Sequence, residues 1–321
     1  MIKTNPFNRF ISAMAIRSFL FVISSSILLI IAGGVLSAPT VADEITPAHT
    51  FQAADNINAE LAAMHEANSS QPVIDEGFPA LTPRYPRHVF QKAREVLIKV
   101  EMLRSLNGLS ENPVPVFPVT EIKPANVLKM LDTALQDLTE LRPIFKVTKK
   151  IAPAPLLPGK VPTDVYGNLQ KASNSLDGLG IPKTVPNDVY RLALMIVDDL
   201  EKIRAARGKT DPVNATTGTT GKKPLDTYNR TFEILEALKA KVEIDPALKI
   251  TGGIVLPNRR TGAITPSYVL DLENNVLAEL SAIKAVTSIS SPTVLPPPPQ
   301  GKTPSDTYDL LTKALTMIGS L

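Results

Sequence analysis

A proline followed three places later by Val or Thr, and then by Tyr, Phe or Leu, occurs eight times in this chain. The copies start at Pro47, Pro86, Pro124, Pro162, Pro186, Pro224, Pro266 and Pro304. Counting from each proline, place 4 holds Phe51, Phe90, Leu128, Tyr166, Tyr190, Tyr228, Leu270 and Tyr308. Place 10 holds Ile57, Val96, Ala134, Ala172, Ile196, Ile234, Val276 and Ala314, and place 14 holds Leu61, Val100, Leu138, Leu176, Leu200, Leu238, Leu280 and Ile318. Apolar places 3, 7, 10, 14 and 17 advance by four and three residues, which is helical spacing. Places 4 and 11 widen the stripe to the face of a core-packed helix rather than a narrow two-strand seam.

The proline suits the first position of a helix, where its missing N–H costs nothing and its fixed φ is already helical. Two residues on, Asp164, Asp188, Asp226 and Asp306 place negative charge against the exposed amides of the first turn. Thr46, Thr265 and Thr303 stand at the N-cap place. Gly108 and Gly208 follow two of the helices, and Pro143 stops a third. Each copy therefore predicts about 18 residues of helix.

The prolines are 39, 38, 38, 24, 38, 42 and 38 residues apart. The short interval divides the array four plus four, with units over residues 43–180 and 181–321. Between helices lie stretches such as "NPVPVFPVTEI", "APAPLLPGKV" and "SPTVLPPPPQGK", too rich in proline to form a second helix. The expected fold is all-α: eight single-helix repeats, joined by long Pro-rich linkers into a bundle or solenoid. An extended linker of about 18 residues reaches about 55 Å, enough to return and start the next helix parallel to the last. The link after Leu179 is too short for that, so the fourth and fifth helices are expected to pack antiparallel. Apolar linker residues (Val114, Val116 and Phe117; Leu156 and Leu157; Ile254, Val255 and Leu256) are expected to pack partly onto the helices.

Residues 1–42 hold Lys3, Arg9 and Arg17, no acid, and the apolar run Phe19–Leu36. This reads as a signal peptide cut after Ala42, with an uncleaved N-terminal membrane anchor as the alternative. Without that segment 31 basic residues face 31 acidic ones, which removes any general attraction to nucleic acid or anionic lipid. The absence of cysteine in an exported chain fits a bacterial envelope protein, periplasmic or secreted, or anchored to the inner membrane if the leader stays.

No catalytic constellation, metal site or cofactor site emerges. His49, His65 and His88 lack ligand partners at i+3 or i+4 and read as surface histidines. "GKT" at 208–210 and 301–303 lacks the upstream glycine of a phosphate loop and reads as repeat punctuation. Asp198 and Glu201, one turn apart, read as a solvated helix face. The recurring Tyr166, Tyr190, Tyr228 and Tyr308 are the candidate partner- or ligand-binding residues. Against that role, Phe and Leu elsewhere at place 4 keep the bulk and drop the hydroxyl, as a plug of the bundle end would. The expected role is a non-catalytic scaffold or protein-binding module whose partner is an envelope protein or other envelope component. The alternative is a small-molecule sensor or carrier with a pocket inside a four-helix unit.

Overall fold

The structure, a computed structural model, describes residues 44–75, 77–214 and 217–321. The leader expected over residues 1–42 lies outside the described residues. Every repeat proline opens a helix: α1 (Pro47–Asn68), α2 (Pro86–Leu106), α3 (Pro124–Glu140), α4 (Pro162–Asp177), α5 (Pro186–Ala206), α6 (Pro224–Ile244), α7 (Pro266–Val286) and α8 (Pro304–Gly319). A 3-10 turn, Pro246–Leu248, is the only helical turn in the linkers among the described residues. None of these helices is long and apolar enough to cross a membrane.

The fold is all-α, two bundles of four helices. Places 10 and 14 are buried in all eight copies, as is place 3. They build two apolar cores, one from residues 53–181 and one from 189–321. In the first bundle the helices touch in the cyclic order α1, α3, α2, α4; in the second the order is α5, α7, α6, α8. Sequence neighbours α1 and α2 are thus diagonal, and so are their counterparts α5 and α6.

Within each bundle the helices run parallel. Asn58 of α1 meets Asn168 of α4, and two turns further on His65 meets Ser175. Lys302, before α8, meets Asn187 at the start of α5, and Arg204 at the end of α5 meets Ser320. The first turns of α5 to α8 converge, so that all four repeat prolines line one small cleft. Parallel packing brings four positive helix ends together, and the acids at place 2 offset them. Asp164, Asp188, Asp226 and Asp306 each accept the backbone N–H of their own N-cap residue. His49, His88 and Asn126 do the same in α1, α2 and α3 through Nδ1 or Oδ1. Of the three N-cap threonines, only Thr303 accepts a backbone amide with its hydroxyl.

Two repeated side-chain clasps tie the bundle ends. At the N-terminal end, the residue two before a repeat proline covers place 4 of the adjacent helix. Arg84 lies over Tyr166, Lys160 over Phe51, Lys222 over Tyr308 and Lys302 over Tyr190. Backbone N–H groups of Arg84, Lys222 and Lys302 also donate to Thr163, Ser305 and Asn187 at place 1 of those helices. At the C-terminal end, a cation at place 18 meets an acid at place 13. Arg142 pairs with Glu60 (2.6 Å) and Lys284 with Asp199 (2.6 Å), while Arg104 lies 4.0 Å from Asp137.

Two expectations are corrected. α4 and α5 make no helix–helix contact. The antiparallel crossing lies instead between α2 and α7, because the polar outer faces of those two helices complement one another. Place 4 is not uniformly core: Phe90, Tyr166 and Tyr228 are buried, while the other five are half-exposed, Phe51, Tyr190 and Tyr308 beneath linker lysines. As expected, several apolar linker residues pack onto the helices: Phe117 and Ile254 are buried, and Val114 and Leu256 lie against the cores, whereas Val116, Leu156 and Leu157 face solvent.

Candidate functional site

α2 carries Arg87, His88, Gln91 and Lys92 on the face turned away from its own core, and α7 carries Asp271, Asn274, Asn275 and Glu279. An isolated bundle would leave these side chains in water. Here they form the seam between the bundles. Arg87 Nε donates to Glu279 Oε2 (2.8 Å) and His88 Nε2 to Glu279 Oε1 (2.9 Å). Lys92 Nζ reaches Asp271 Oδ1 (2.6 Å) and Glu95 Oε2 (2.7 Å), while Gln91 donates to Asn274 (2.7 Å). Arg84 Nη1 donates to Asn275 Oδ1 (2.6 Å). Moving along α2 from Arg87 to Lys92 moves backward along α7 from Glu279 to Asp271, so the two helices are antiparallel.

Linkers extend the seam. Arg87 also donates to the carbonyls of Thr251 and Gly253. Arg260 grips both carboxylate oxygens of Asp75 at 2.9 Å, and the Tyr268 hydroxyl donates to the same group. Gly252 has φ +75°, and a Cβ there would sit 2.0 Å from the Tyr85 ring. Only glycine permits both that conformation and that approach.

The electrostatics are those of paired charges. Burial alone would raise Asp271, but Lys92 and Arg260 hold its carboxyl below the usual range. Burial would lower Lys92, and Asp271 and Glu95 more than reverse this. Glu279 is also held low: against its burial act the His88 hydrogen bond, the Arg87 guanidinium and the Val255 amide. Burial dominates at His88 and keeps the imidazole neutral, in spite of Glu279. Ionised carboxylates with committed partners are poor proton donors, and neither acid is poised as a general acid.

A cleft of about 40 Å³ opens beside the seam, walled by Tyr166, Tyr228, Tyr268, Arg84 and Arg260. It holds a water molecule or two rather than an organic ligand. Comparison with known protein families, with curated proteins and with solved structures finds no match for this chain. Its own geometry therefore carries the functional reading.

The candidate tyrosines separate into two pairs. Tyr166 and Tyr228 share the inter-bundle cleft, where the Tyr228 hydroxyl accepts the backbone N–H of Arg260 (3.0 Å). Tyr190 and Tyr308 lie at the N-terminal end of the second bundle, each beneath a lysine, and the Tyr308 hydroxyl accepts from Arg230. The four hydroxyls do not form one row.

The histidines contradict the surface reading in two cases of three. His65 and His88 are buried. The first bonds Ser70 and Ser175 between α1 and α4, and the second is covered by α7. Asp198 is half-exposed and Glu201 exposed, and each pairs with its own lysine, Lys202 and Lys313. Both "GKT" stretches are punctuation: Gly208 has φ +73° in the turn that ends α5, and Gly301 has φ +64° just ahead of α8. No group of three or more His, Asp or Glu with metal-binding geometry occurs among the described residues. The seam residues were missed from sequence because they lie off the apolar stripe. Gln91, Lys92 and Glu95 stand at places 5, 6 and 9 of α2 and Asp271, Asn274 and Asn275 at places 5, 8 and 9 of α7, while Arg87, His88 and Glu279 lie outside that stretch.

Proposed function

We propose that this chain is an exported, non-catalytic helical repeat protein that acts as a scaffold or protein-binding module in the bacterial cell envelope. The leader-like Phe19–Leu36 run, with its basic approach and small-residue exit, supports export. One observation carries the binding role: the α3–α4 linker is pinned to α1 and turns apolar side chains outward. In the α3–α4 linker, Ala154 donates its N–H to Asn56 and accepts from Gln52, so the backbone is tied to α1. The neighbouring Leu156 and Leu157 are left exposed, as is Val161 at the N-cap of α4. A preordered segment with free apolar side chains binds a partner at little entropic cost. The carrier reading calls for a ligand pocket of about 300 Å³ or more inside a bundle. The cleft walled by two of the repeat tyrosines is far smaller and lies between the bundles.

The partner is an envelope protein or other envelope component. Affinity purification of the tagged chain from its own envelope, with mass spectrometry of what accompanies it, tests this. The parent is expected to retain a partner that the Leu156→Ser/Leu157→Ser variant loses, with unchanged helicity. Retrieval of the same set by both would refute the linker as the binding element.

A further inference from the structure

Each bundle has its own apolar core, whereas the helix faces that join them, on α2 and α7, are polar. α2–α7 is the one helix pair that crosses between the bundles among the described residues. α4 and α5 are joined only by residues 178–185, make no contact with each other, and have Gly180 at φ +96° in the connection. Polar interfaces between separately cored units favour relative motion. At the centre of this one lies His88, 1% exposed, with both ring nitrogens committed. Nδ1 accepts the Tyr85 N–H (3.1 Å) that caps α2, and Nε2 bears the hydrogen donated to Glu279.

We propose that the α2–α7 seam is an acid-released latch, in which a proton taken up by His88 Nδ1 parts the two bundles about residues 178–185. A hydrogen on Nδ1 would face the Tyr85 N–H, so two donors would oppose each other and the cap of α2 would fail. The charges around His88 are paired, so burial rather than net charge opposes a proton on the ring. On its own element His88 faces Arg87 and, from the preceding linker, Arg84; Lys92 lies one turn on with Asp271 and Glu95. From α7 only Glu279 faces it, and that carboxylate is already taken by Arg87 and the Val255 amide. From α4 the ring of Tyr166 closes the side. A buried imidazolium whose Nδ1 hydrogen meets another donor is relieved by opening the seam to water.

Because burial lowers the affinity of His88 for a proton in the closed state, closure is favoured above the free-imidazole value of about 6.5 and weakens as pH falls below it. The ratio of open to closed chain rises by up to about tenfold per pH unit in that window. The chain has no cysteine, so Lys171→Cys on α4 and Ala240→Cys on α6 provide one spin label on each bundle of the full chain. The label-to-label distance is expected to lengthen below about pH 6, with far-ultraviolet helicity unchanged. The three histidine ring resonances are followed in parallel, and that of His88 is expected to titrate in step with the distance. His88→Asn retains the cap, as Asn126 does at the same place in α3, but cannot take the proton; its opening is expected at least one pH unit lower. Three results would each overturn the latch: a constant distance down to about pH 5, opening that precedes or lacks His88 titration, or simultaneous loss of helicity. Should the asparagine variant already be open at neutral pH, the parent's ring titration against distance still decides.

Discussion

The two bundles share one plan, with the same helix order, parallel sense and clasps, yet they differ on their outer faces. α2 of the first bundle docks on α7 of the second, whereas their counterparts, α6 and α3, do not meet. Lys92 opposite Asp271 corresponds to Arg230 and Lys129 at the same places; His88 opposite Glu279 corresponds to Asp226 and Asp137. Repeating the seam with the free faces would set like charge against like. The repeat therefore specifies a bundle, and the departures from it specify how many bundles join. Each core also has its own exception. The second carries Glu273 at place 7, where the first has Leu131, and the first carries the buried Glu101 beside Asp137 at its C-terminal end.

The strongest way to break the comparison is a charge in the shared stripe. Leu200→Asp and Leu138→Asp occupy place 14 of different bundles, both fully buried. Each is expected to cost at least about 4 kcal/mol. Hydrogen exchange is expected to accelerate in the mutated bundle alone, and equal acceleration in both would make the chain one cooperative unit. Smaller is the loss of a C-terminal clasp. Lys284→Met strands Asp199, which is completely buried and already raised by that burial in spite of Lys284. A loss of about 3 kcal/mol is expected by thermal unfolding. Arg142→Met, whose cation is 30% exposed, is expected to cost about 1 kcal/mol.

The carboxyl exceptions sharpen the comparison through pH. Both oxygens of Glu273 are buried without a partner, and burial raises its pKa well above the ordinary value. Burial also raises Glu101, to about 7, opposed by the Asn112 N–H and reinforced by Asp137. A raised carboxyl stabilises the fold fully below its unfolded pKa of about 4.5, and that contribution is lost as pH rises through the folded value. Glu273→Leu is therefore expected to add about 1–3 kcal/mol at neutral pH, and less at pH 4, in thermal unfolding. Glu101→Gln is expected to flatten the decline of first-bundle protection between about pH 5 and 8 while leaving the second bundle unchanged. A Glu273→Leu gain independent of pH would mean that the carboxyl is ionised in the fold.

What could be read in advance follows from range. Helix starts at Pro47, Pro86 and their six counterparts were legible because proline, Asp and the first apolar turn act within four residues. Burial of Leu61, Leu138 and Leu238 was legible because the stripe has one period. Parallel packing followed from linker length, which fixes what the chain can reach. The lysines at 160, 222 and 302 were visible as letters, but their rings lie on the spatial neighbour: α4 clasps α1 and α8 clasps α5, an order no local rule supplies. His88 was misplaced for the same reason. Its own bundle leaves it outward, and it is the other bundle that buries it. The cleft at Tyr166 and Tyr228 likewise exists only once both bundles are in place.

The mildest substitutions separate the two pairs of tyrosines. Among the described residues nothing hydrogen-bonds the Tyr190 hydroxyl, and its ring does the packing beneath Lys302. Tyr190→Phe is expected to change stability by less than about 0.5 kcal/mol, because the ring and its attraction for the lysine persist. Tyr228→Phe removes the acceptor of the Arg260 N–H at the edge of the seam and is expected to cost about 1 kcal/mol. Partner retention adds a second axis to the measurement. If Tyr190→Phe loses a partner at full thermal stability, the exposed pair is a recognition element and the ring is more than a plug. If only Tyr228→Phe has an effect, and that effect is on the separation of the bundles, the place-4 hydroxyl matters where two bundles meet and is dispensable where one bundle ends.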